Sequence, residues 1–331
     1  MVAELIAAPN YAPWLRSPDV ITVDGSVISW VNPVHPGYAY PEIAGYMLSD
    51  LAFRGGDTVA LRNIVARRLL ADMTPSGAVG RNGIEYVFDS AMVLAGLIAH
   101  ENDGGVLPDP DMPERLRRYI VNRLTRRIGL DGNLENVPTH WSQSYGCHLI
   151  KTVISLTAFD ASRGTDSWPL IKQLLTELLP LYEPLGDGGR FHVNGASDVT
   201  YTHAHCYAIE GLLVLEGRGR TGLRRWIDGG AAWLASVQEW NGGVPAEHDS
   251  NGPRMVAHAD CTAQAVRVWT CADAELYADN IERGVRFLTE LSSSGGIRYA
   301  VGSNDINTWA TIFGAQAIDF AAQGGKWQCL I

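Results

Sequence analysis

The chain has 331 residues, of which 46% are hydrophobic, so it is long enough to bury a large core. Its 36 acidic residues exceed its 26 lysines and arginines, and this net charge of −10 disfavours a nucleic-acid partner, because phosphate binding requires clustered basic side chains. The sequence shows neither a secretion signal nor an apolar run near the roughly 20 residues that span a bilayer. We therefore expect a cytoplasmic protein with a small-molecule substrate and no membrane span; the sequence leaves its oligomeric state open.

Glycine-centred turns divide the chain at intervals of 52 to 57 residues, at Gly25, Gly77, Gly132, Gly189, Gly243 and Gly296. A repeat of this length accommodates two helices of ordinary size with their loops, so six copies predict about twelve helices. Each helix pair needs its neighbours to cover its apolar face. We therefore predict a single domain over residues 1–331.

The segments after each turn predict tightly packed inner helices. Small residues recur in them at helical spacing, as at Ala204, Ala208 and Gly211, and small side chains allow helices to approach closely. In chain order these segments are 41–53, 86–100, 140–156, 201–215, 258–270 and 307–320. The segments between them have one apolar side, which predicts outer surface helices at 58–72, 113–127, 168–182, 222–239 and 274–291.

Alternating inner and outer helices that close after six pairs form an (α/α)6 toroid, which is an all-α fold. Every inner helix then begins just after its turn, so the residues at the six helix starts surround one mouth of the ring. Such a concave mouth is the usual kind of site for a small molecule. The free N–H groups of the helix starts also suit anionic or hydroxyl-rich ligands.

Three stretches, PEIAGY at 41–46, YTHAHCYAIEGLL at 201–213 and ADCTAQAVRVW at 259–269, resemble a poorly characterised branch of the squalene-cyclase and protein-prenyltransferase superfamily. This branch is associated with glycan or natural-product biosynthesis. The resemblance implies the toroid fold but no single activity, because toroids include hydrolases, lyases, epimerases, transferases and cyclases. The DxDD motif of class II terpene cyclases is missing, since Asp89 and Asp260 are isolated.

Histidines concentrate at two neighbouring inner-helix starts. His203 and His205 follow the fourth turn with Tyr201, and His258 follows the fifth turn with Asp260. Histidine both accepts and donates protons near neutral pH, and two histidines across a sugar ring would suit a cofactor-independent epimerase. We predict catalytic roles for these five residues; the alternative is that some of the histidines only bind loop carbonyls.

Carboxylates at the first two inner-helix starts form a second candidate group. We predict Asp89 as a further acid/base residue and Glu42 as a substrate-binding residue, although both positions also favour ordinary helix capping. Aromatic side chains would stack on a sugar, and polar or basic side chains would bind its hydroxyls or an anionic group. The remaining predicted substrate-binding residues are Tyr40, Tyr86, His140, Trp141, Tyr145, Arg254, Arg298, Asn307 and Trp309.

Metal binding is an alternative interpretation of the same helix starts. His258 with Cys261, and His203 with Cys206, are each three residues apart and could share a helix face. Asp260 and Cys261 are adjacent, so we expect their side chains to point about 100° apart and not to act as a ligand pair. The five cysteines show no CxxC spacing. We predict no cofactor and no metal ligands, with zinc as the alternative.

These features predict an enzyme that acts by general acid/base proton transfer on a carbohydrate-like or natural-product intermediate, as an epimerase or other isomerase, or as a lyase. The enzymatic alternative is a terpenoid or prenyl cyclase-like protein, which a mainly aromatic and aliphatic mouth would favour. The alternative from another class is a non-catalytic toroid that binds a glycan or a partner protein.

Overall fold

The computed structural model describes residues 9–131 and 141–331 of the chain. In these two ranges the structure is dominated by twelve α-helices, of which the first is a single turn: α1 Ala12–Leu15, α2 Pro41–Arg54, α3 Val59–Asp72, α4 Val87–Asn102, α5 Met112–Thr125, α6 Val153–Arg163, α7 Trp168–Leu178, α8 Thr202–Gly217, α9 Arg224–Val237, α10 Ala259–Asp273, α11 Ala278–Glu290 and α12 Thr308–Gln323. Short 3-10 helices lie at Trp141–Gln143, Cys147–Thr152, Leu179–Leu181 and Trp327–Cys329.

The even-numbered helices form a closed inner ring. Contacts run from α2 to α4, α6, α8, α10 and α12 in turn, and α12 contacts α2. The third member begins as the 3-10 helix Cys147–Thr152, which leads directly into α6. Helices α3, α5, α7, α9 and α11 lie outside this ring against the inner helices. The predicted α/α toroid is confirmed, and α2 and α4 lie across the ring from α8 and α10.

Glycines allow the inner helices to approach closely, as the sequence predicted. A methyl group on Gly96 of α4 would lie 2.3 Å from the carbonyl oxygen of Gly45 in α2. A methyl group on Gly211 of α8 would lie 2.5 Å from the carbonyl oxygen of Ile150. Both distances are far below van der Waals contact, so these positions are restricted to glycine by the backbone of the next helix.

The glycine turns pack against the outer helices. Gly25 has φ 87° and Gly77 has φ 89°, values that a side chain disfavours. A Cβ on Gly77 would lie 2.9 Å from the carbonyl oxygen of Arg115 in α5. In the last turn a Cβ on Gly295 would lie 3.3 Å from Trp14, so the short helix α1 takes the outer position there. The predicted turn at Gly132 lies outside the described residues.

Short antiparallel strands border one end of the ring: β1 Trp30–Val31, β2 Gly80–Arg81, β3 Ile84–Tyr86, β4 Leu130–Asp131, β5 Tyr182–Leu185, β6 Gly188–Phe191, β7 Thr200–Tyr201, β8 Glu247–Asp249, β9 Gly252–Pro253, β10 Ser292–Ser293, β11 Gly296–Arg298 and β12 Ile306–Asn307. They pair in the orders β1-β12-β11-β10, β2-β3-β4, β5-β6 and β7-β8-β9. Strands β3, β7 and β12 lead directly into α4, α8 and α12, so this end is the mouth at which the inner helices begin. These short strands add to the predicted all-α architecture.

The C-terminal segment covers the opposite end of the ring. Trp327 packs on Gly217 at the end of α8. The Gln316 amide donates to the Cys329 carbonyl oxygen at 2.6 Å, and Lys151 Nζ donates to the carbonyl oxygen of Ile331. Within residues 9–131 and 141–331, no helix combines the length and the apolar content needed to cross a lipid bilayer.

Candidate functional site

Two buried carboxylic acids lie near each other at the starts of α2 and α4. Glu42 is 7% exposed and Asp89 is 3% exposed. The Tyr40 hydroxyl is hydrogen-bonded to Asp89, while Glu42 accepts hydrogen bonds from the Trp309 indole and the Tyr46 hydroxyl. The two acids come from neighbouring inner helices, so together they form one acidic wall of the mouth.

Burial gives these carboxylic acids unusual protonation behaviour. Burial raises the pKa of Asp89 to about 7, against the opposing effect of its hydrogen bond with Tyr40. Burial, assisted by the negative charge of Asp89, raises the pKa of Glu42 well above its ordinary value. The pair therefore holds at least one proton near neutral pH, which is what a group that exchanges protons with a substrate requires.

A series of polar contacts crosses the interior from this acidic wall to the opposite wall. The Tyr46 hydroxyl, which is bonded to Glu42, donates to the Tyr207 hydroxyl at 3.2 Å. The Tyr207 hydroxyl is 2.8 Å from Nε2 of His203. Nδ1 of His203 is in turn 4.0 Å from a carboxylate oxygen of Asp260. Acid/base groups on opposite walls are thus joined through two buried tyrosines.

The opposite wall brings three different donor atoms together. One ligand atom each from His203, Asp260 and Cys261 lies within 4.8 Å of the others. This corrects the expectation that Asp260 and Cys261 point apart. The Asp260 carboxylate accepts a hydrogen bond from the Cys261 backbone N–H at 2.8 Å, so it folds back over the start of α10 towards its neighbour. Burial lowers the pKa of His203 to about 4, although Asp260 opposes this effect.

Three fully buried charged side chains lie below the mouth. Lys151 Nζ is 2.8 Å from a Glu210 carboxylate oxygen, and Arg267 binds the other oxygen. Lys151 Nζ also lies 4.3 Å from the ring centre of Tyr207 and 5.0 Å from that of Tyr46. Burial lowers the pKa of Lys151 to about 8, and Glu210 opposes this effect. Our sequence reasoning missed this cluster, although charges inside apolar inner-helix segments are a usable signal.

Aromatic side chains form the half-buried rim of the mouth beside the acidic wall. The ring of Tyr40 is 5.6 Å from that of Trp309 and 6.0 Å from that of Tyr38. Tyr38 also packs edge-on against Trp30 and lies beneath the Arg81 guanidinium. The sequence reasoning missed Trp30, Tyr38 and Arg81, because they lie in the loops and short strands between a glycine turn and the next inner helix.

Most of the predicted catalytic residues lie at this mouth. Asp89, His203 and Asp260 are in the contacts described above, and the ring of His258 is 4.4 Å from that of Tyr299. His203 and His258 begin neighbouring helices, so they do not face each other across the ring as a histidine pair would. The groups across from His203 are Glu42 and Asp89.

His205 faces away from the mouth. Its Nδ1 accepts a hydrogen bond from the backbone N–H of Phe191 at 3.1 Å, and its Nε2 donates to the carbonyl oxygen of Gly230 at 3.2 Å. His205 is two residues after His203, which turns it about 200° around the helix. Both ring nitrogens are occupied by backbone groups, so the predicted acid/base role of His205 is corrected to a structural one.

The predicted substrate-binding residues are divided between the rim and other contacts. Half-buried Tyr86 lies next to Asp89, whose charge helps burial to raise the tyrosine pKa. Arg254 binds Glu247 at 2.9 Å in the β8–β9 hairpin, and burial and Glu247 raise the pKa of nearby Tyr201. Tyr201 in β7 and Arg254 directly after β9 therefore belong to the same small sheet beside the start of α8.

Two other predicted residues bind the outer layer. The Tyr145 hydroxyl donates to Glu177 of α7 at 2.8 Å. Arg298 donates to the backbone carbonyls of Leu291 and Glu290 at the end of α11. The Tyr145 hydroxyl is therefore turned to the outer layer, which corrects its predicted substrate binding, whereas substrate binding by Arg298 stays a prediction.

The remaining predicted substrate-binding residues are Asn307, His140 and Trp141. Asn307 caps α12, because its side chain accepts a hydrogen bond from the Ala310 backbone N–H at 2.9 Å. Its substrate binding stays a prediction. His140 lies outside the described residues. Trp141 begins a 3-10 helix, and its side chain is also outside the described part.

The comparisons with known proteins identify the fold. No protein-family model matches the chain, and a search of curated proteins finds no match. Among solved structures, a sugar epimerase from a ruminal bacterium is 11% identical with a TM-score of 0.71, covering 96% of this chain and 97% of the other. The cellobiose 2-epimerase of Bacillus thermoamylovorans B4167 is 10% identical with a TM-score of 0.69, covering 95% of each chain. An unsaturated glucuronyl hydrolase specific for heparin is 10% identical with a TM-score of 0.65, covering 95% of this chain and 97% of the other.

Proposed function

We propose that this protein is an enzyme that processes a carbohydrate-like substrate by transferring a proton at carbon, as an epimerase or other isomerase, or as a lyase. One observation carries the proposal: acid/base groups occupy opposite walls of the same mouth, with Asp89 and Glu42 on one wall and His203 and Asp260 on the other. A substrate carbon held between two such walls is accessible to proton transfer from both faces.

Each group has a defined part in this mechanism. Asp89 has a pKa of about 7, so near neutral pH its protonated form returns a proton to carbon in an epimerase or protonates a leaving oxygen in a lyase, and its ionised form can remove a proton. His203, 4.0 Å from Asp260, is neutral near pH 7 because burial lowers its pKa to about 4, so it acts as the base on the opposite face. Glu42 stays protonated and donates a hydrogen bond to a carbonyl or carboxyl oxygen, which stabilises the developing negative charge.

The rim and the similar folds support a sugar as the substrate class. The rings of Tyr38, Tyr40 and Trp309 provide apolar faces with polar edges, the combination that stacks on a sugar and binds its hydroxyl groups. Two of the similar structures are epimerases and one is a glucuronyl hydrolase. Shared architecture alone does not assign an activity, so the proposal depends on the side chains of this mouth.

Deuterium exchange tests the proposal whichever product the enzyme forms. The protein is incubated in deuterated water with a panel of neutral sugars and uronic acids, and NMR detects exchanged positions, new epimers or unsaturated products. We expect activity in the unmodified protein and a loss of at least about 100-fold in Asp89→Asn and His203→Ala. Tyr145→Phe is a matched control outside the mouth and should be active. Unchanged turnover in both mouth variants, or no reaction with any member of a broad panel, would reject the proposal.

The cyclase and the non-catalytic toroid are the two alternatives, and each predicts a different observation. A terpenoid or prenyl cyclase needs a largely apolar mouth, whereas this mouth contains Glu42, Asp89, His203 and Asp260. A non-catalytic toroid would bind a glycan without exchange or product formation. Saturation-transfer NMR on the same panel detects that outcome directly.

A further inference from the structure

We propose that the His203 wall is also a binding site for a zinc-type transition-metal ion, with His203, Asp260 and Cys261 as its three protein ligands. The combination of an imidazole nitrogen, a carboxylate oxygen and a thiolate sulfur suits zinc. This inference rests on the proposed function only for the role of the ion towards the substrate.

The distances fit such an ion with small side-chain movements. The three donor atoms lie within 4.8 Å of one another. Ligands of tetrahedral zinc, at bond lengths of about 2.0–2.3 Å, are separated by roughly 3.5 Å. The donors must therefore approach by about 1 Å when an ion binds.

The supporting structure holds these donors close together before an ion binds. Asp260 and Cys261 occupy the first turn of α10, and His203 occupies the first turn of the neighbouring helix α8. The contact between Nε2 of His203 and the Tyr207 hydroxyl orients the ring so that Nδ1 lies on the side of Asp260. A polar partner on the second nitrogen is the usual way in which proteins orient a metal-binding histidine.

A buried amide next to these residues provides an independent observation. Gln264 is fully buried, and neither its amide nitrogen nor its amide oxygen has a hydrogen-bond partner among the described residues. It lies one turn after Asp260, at i+4, and therefore on the same face of α10. An unpaired buried amide is costly. A water molecule or a substrate oxygen bound to the ion would supply the partner that Gln264 lacks.

Three protein ligands leave a fourth zinc position open for a water or substrate oxygen. With the ion bound, its positive charge would polarise a substrate carbonyl or hydroxyl oxygen, and His203 would no longer be available as a base. The acidic wall would be unaffected, so the ionised form of Asp89 would take the proton from carbon. The metal site therefore selects substrates that carry an oxygen next to the reacting carbon.

Cobalt binding tests the site independently of activity. The protein is treated with a chelator, dialysed and titrated with Co²⁺, and Zn²⁺ is then added in competition. We expect one equivalent to bind with the charge-transfer absorption of a cobalt–thiolate bond. Cys261→Ser should remove this band, and Asp260→Asn and His203→Ala should weaken binding more than about tenfold. Cys271→Ser changes another thiol on the same helix and should keep both the band and the affinity.

Circular dichroism establishes that each variant is folded before titration. Zinc or cobalt binding below one equivalent, or an unchanged band in folded Cys261→Ser, would overturn the metal site. The metal-binding result is independent of the turnover result that tests the proposed function. Metal binding with full turnover in Asp89→Asn and His203→Ala would reject only the function, and absent metal binding with lost turnover in both variants would reject only the metal site.

Discussion

At the level of single residues, Asp89 shows how burial overrides a local preference. An aspartate in the first turn of a helix is normally stabilised as an anion by the free N–H groups there, which lowers its pKa. Asp89 is 3% exposed, and the cost of burying its charge raises its pKa to about 7 instead. Burial therefore makes this first-turn aspartate a group that changes charge near neutral pH.

This pKa predicts how stability varies with pH. The folded pKa of Asp89 lies above the unfolded value of 3.8, so its protonated form is favoured in the folded state. Its contribution is complete below pH 3.8 and is lost as the pH rises to about 7, a decrease in unfolding free energy of up to about 4 kcal/mol. Urea unfolding across this range should show the decrease in the unmodified protein and a smaller one in Asp89→Asn. Identical pH dependence in both would contradict the raised pKa.

His205 provides a second prediction at this level. Replacement by alanine leaves the Phe191 N–H and the Gly230 carbonyl unpaired and opens a cavity, so we expect the unfolding free energy to fall by about 2–4 kcal/mol. Turnover per folded molecule should be unchanged, because the ring does not face the mouth. Chemical denaturation and kinetics below the melting temperature measure the two effects. Lost turnover with unchanged stability would restore the catalytic interpretation.

The sequence predicted which residues lie at the mouth, because position after a glycine turn determines depth in the ring. Glu42, Asp89, His203 and Asp260 lie there as predicted, and their roles stay predictions. It did not give the direction of each side chain. His205 was assigned wrongly because His203 and His205 were treated as one catalytic group. They are at i and i+2, and a helix turns such residues to opposite faces.

At the level of helices, close packing limits the glycines of the inner ring. Alanine is the better helix former by about 1 kcal/mol, so Gly96→Ala would stabilise an isolated helix. In the ring, however, the new methyl group would lie 2.3 Å from the Gly45 carbonyl oxygen. We expect the unfolding free energy to fall by about 1–3 kcal/mol, measured by chemical denaturation. Increased stability would mean that α2 and α4 can separate at low cost.

The helices themselves followed from the repeat, but two kinds of element did not. Inner and outer segments were distinguishable because small residues mark close packing and one-sided apolar patterns mark the surface. Strands of two to four residues, such as β7 and β12, are too short to show an alternating pattern. Helix α1 has only four residues, so its outer position depends on its packing near Gly295 and not on a periodic pattern.

At the level of the whole molecule, a buried charge cluster ties the inner ring together. Glu210 of α8 binds Lys151, next to α6, and Arg267 of α10. Arg267 also donates to Gln316 of α12 at 3.0 Å. Sequence periodicity cannot predict such a cluster, since its members are far apart in the chain and meet only after the ring has closed.

Removal of the central carboxylate tests this connection. Glu210→Gln leaves two buried cations without their shared negative partner, so we expect a loss of about 3–5 kcal/mol in unfolding free energy. Glu216→Gln on the same helix removes a surface partner of Arg224 and should change it by less than about 1 kcal/mol. Thermal and urea unfolding of both variants make the comparison. Equal effects would show that the buried cluster does not hold the ring together.

In the described part of the chain, the C-terminal segment closes the end of the ring that lies opposite the mouth. Lys151 and Gln316 bind its backbone, and Trp327 covers the end of α8. A polysaccharide therefore cannot thread through the ring past this segment. Any ligand that reaches Asp89 and His203 must therefore enter and leave by the mouth.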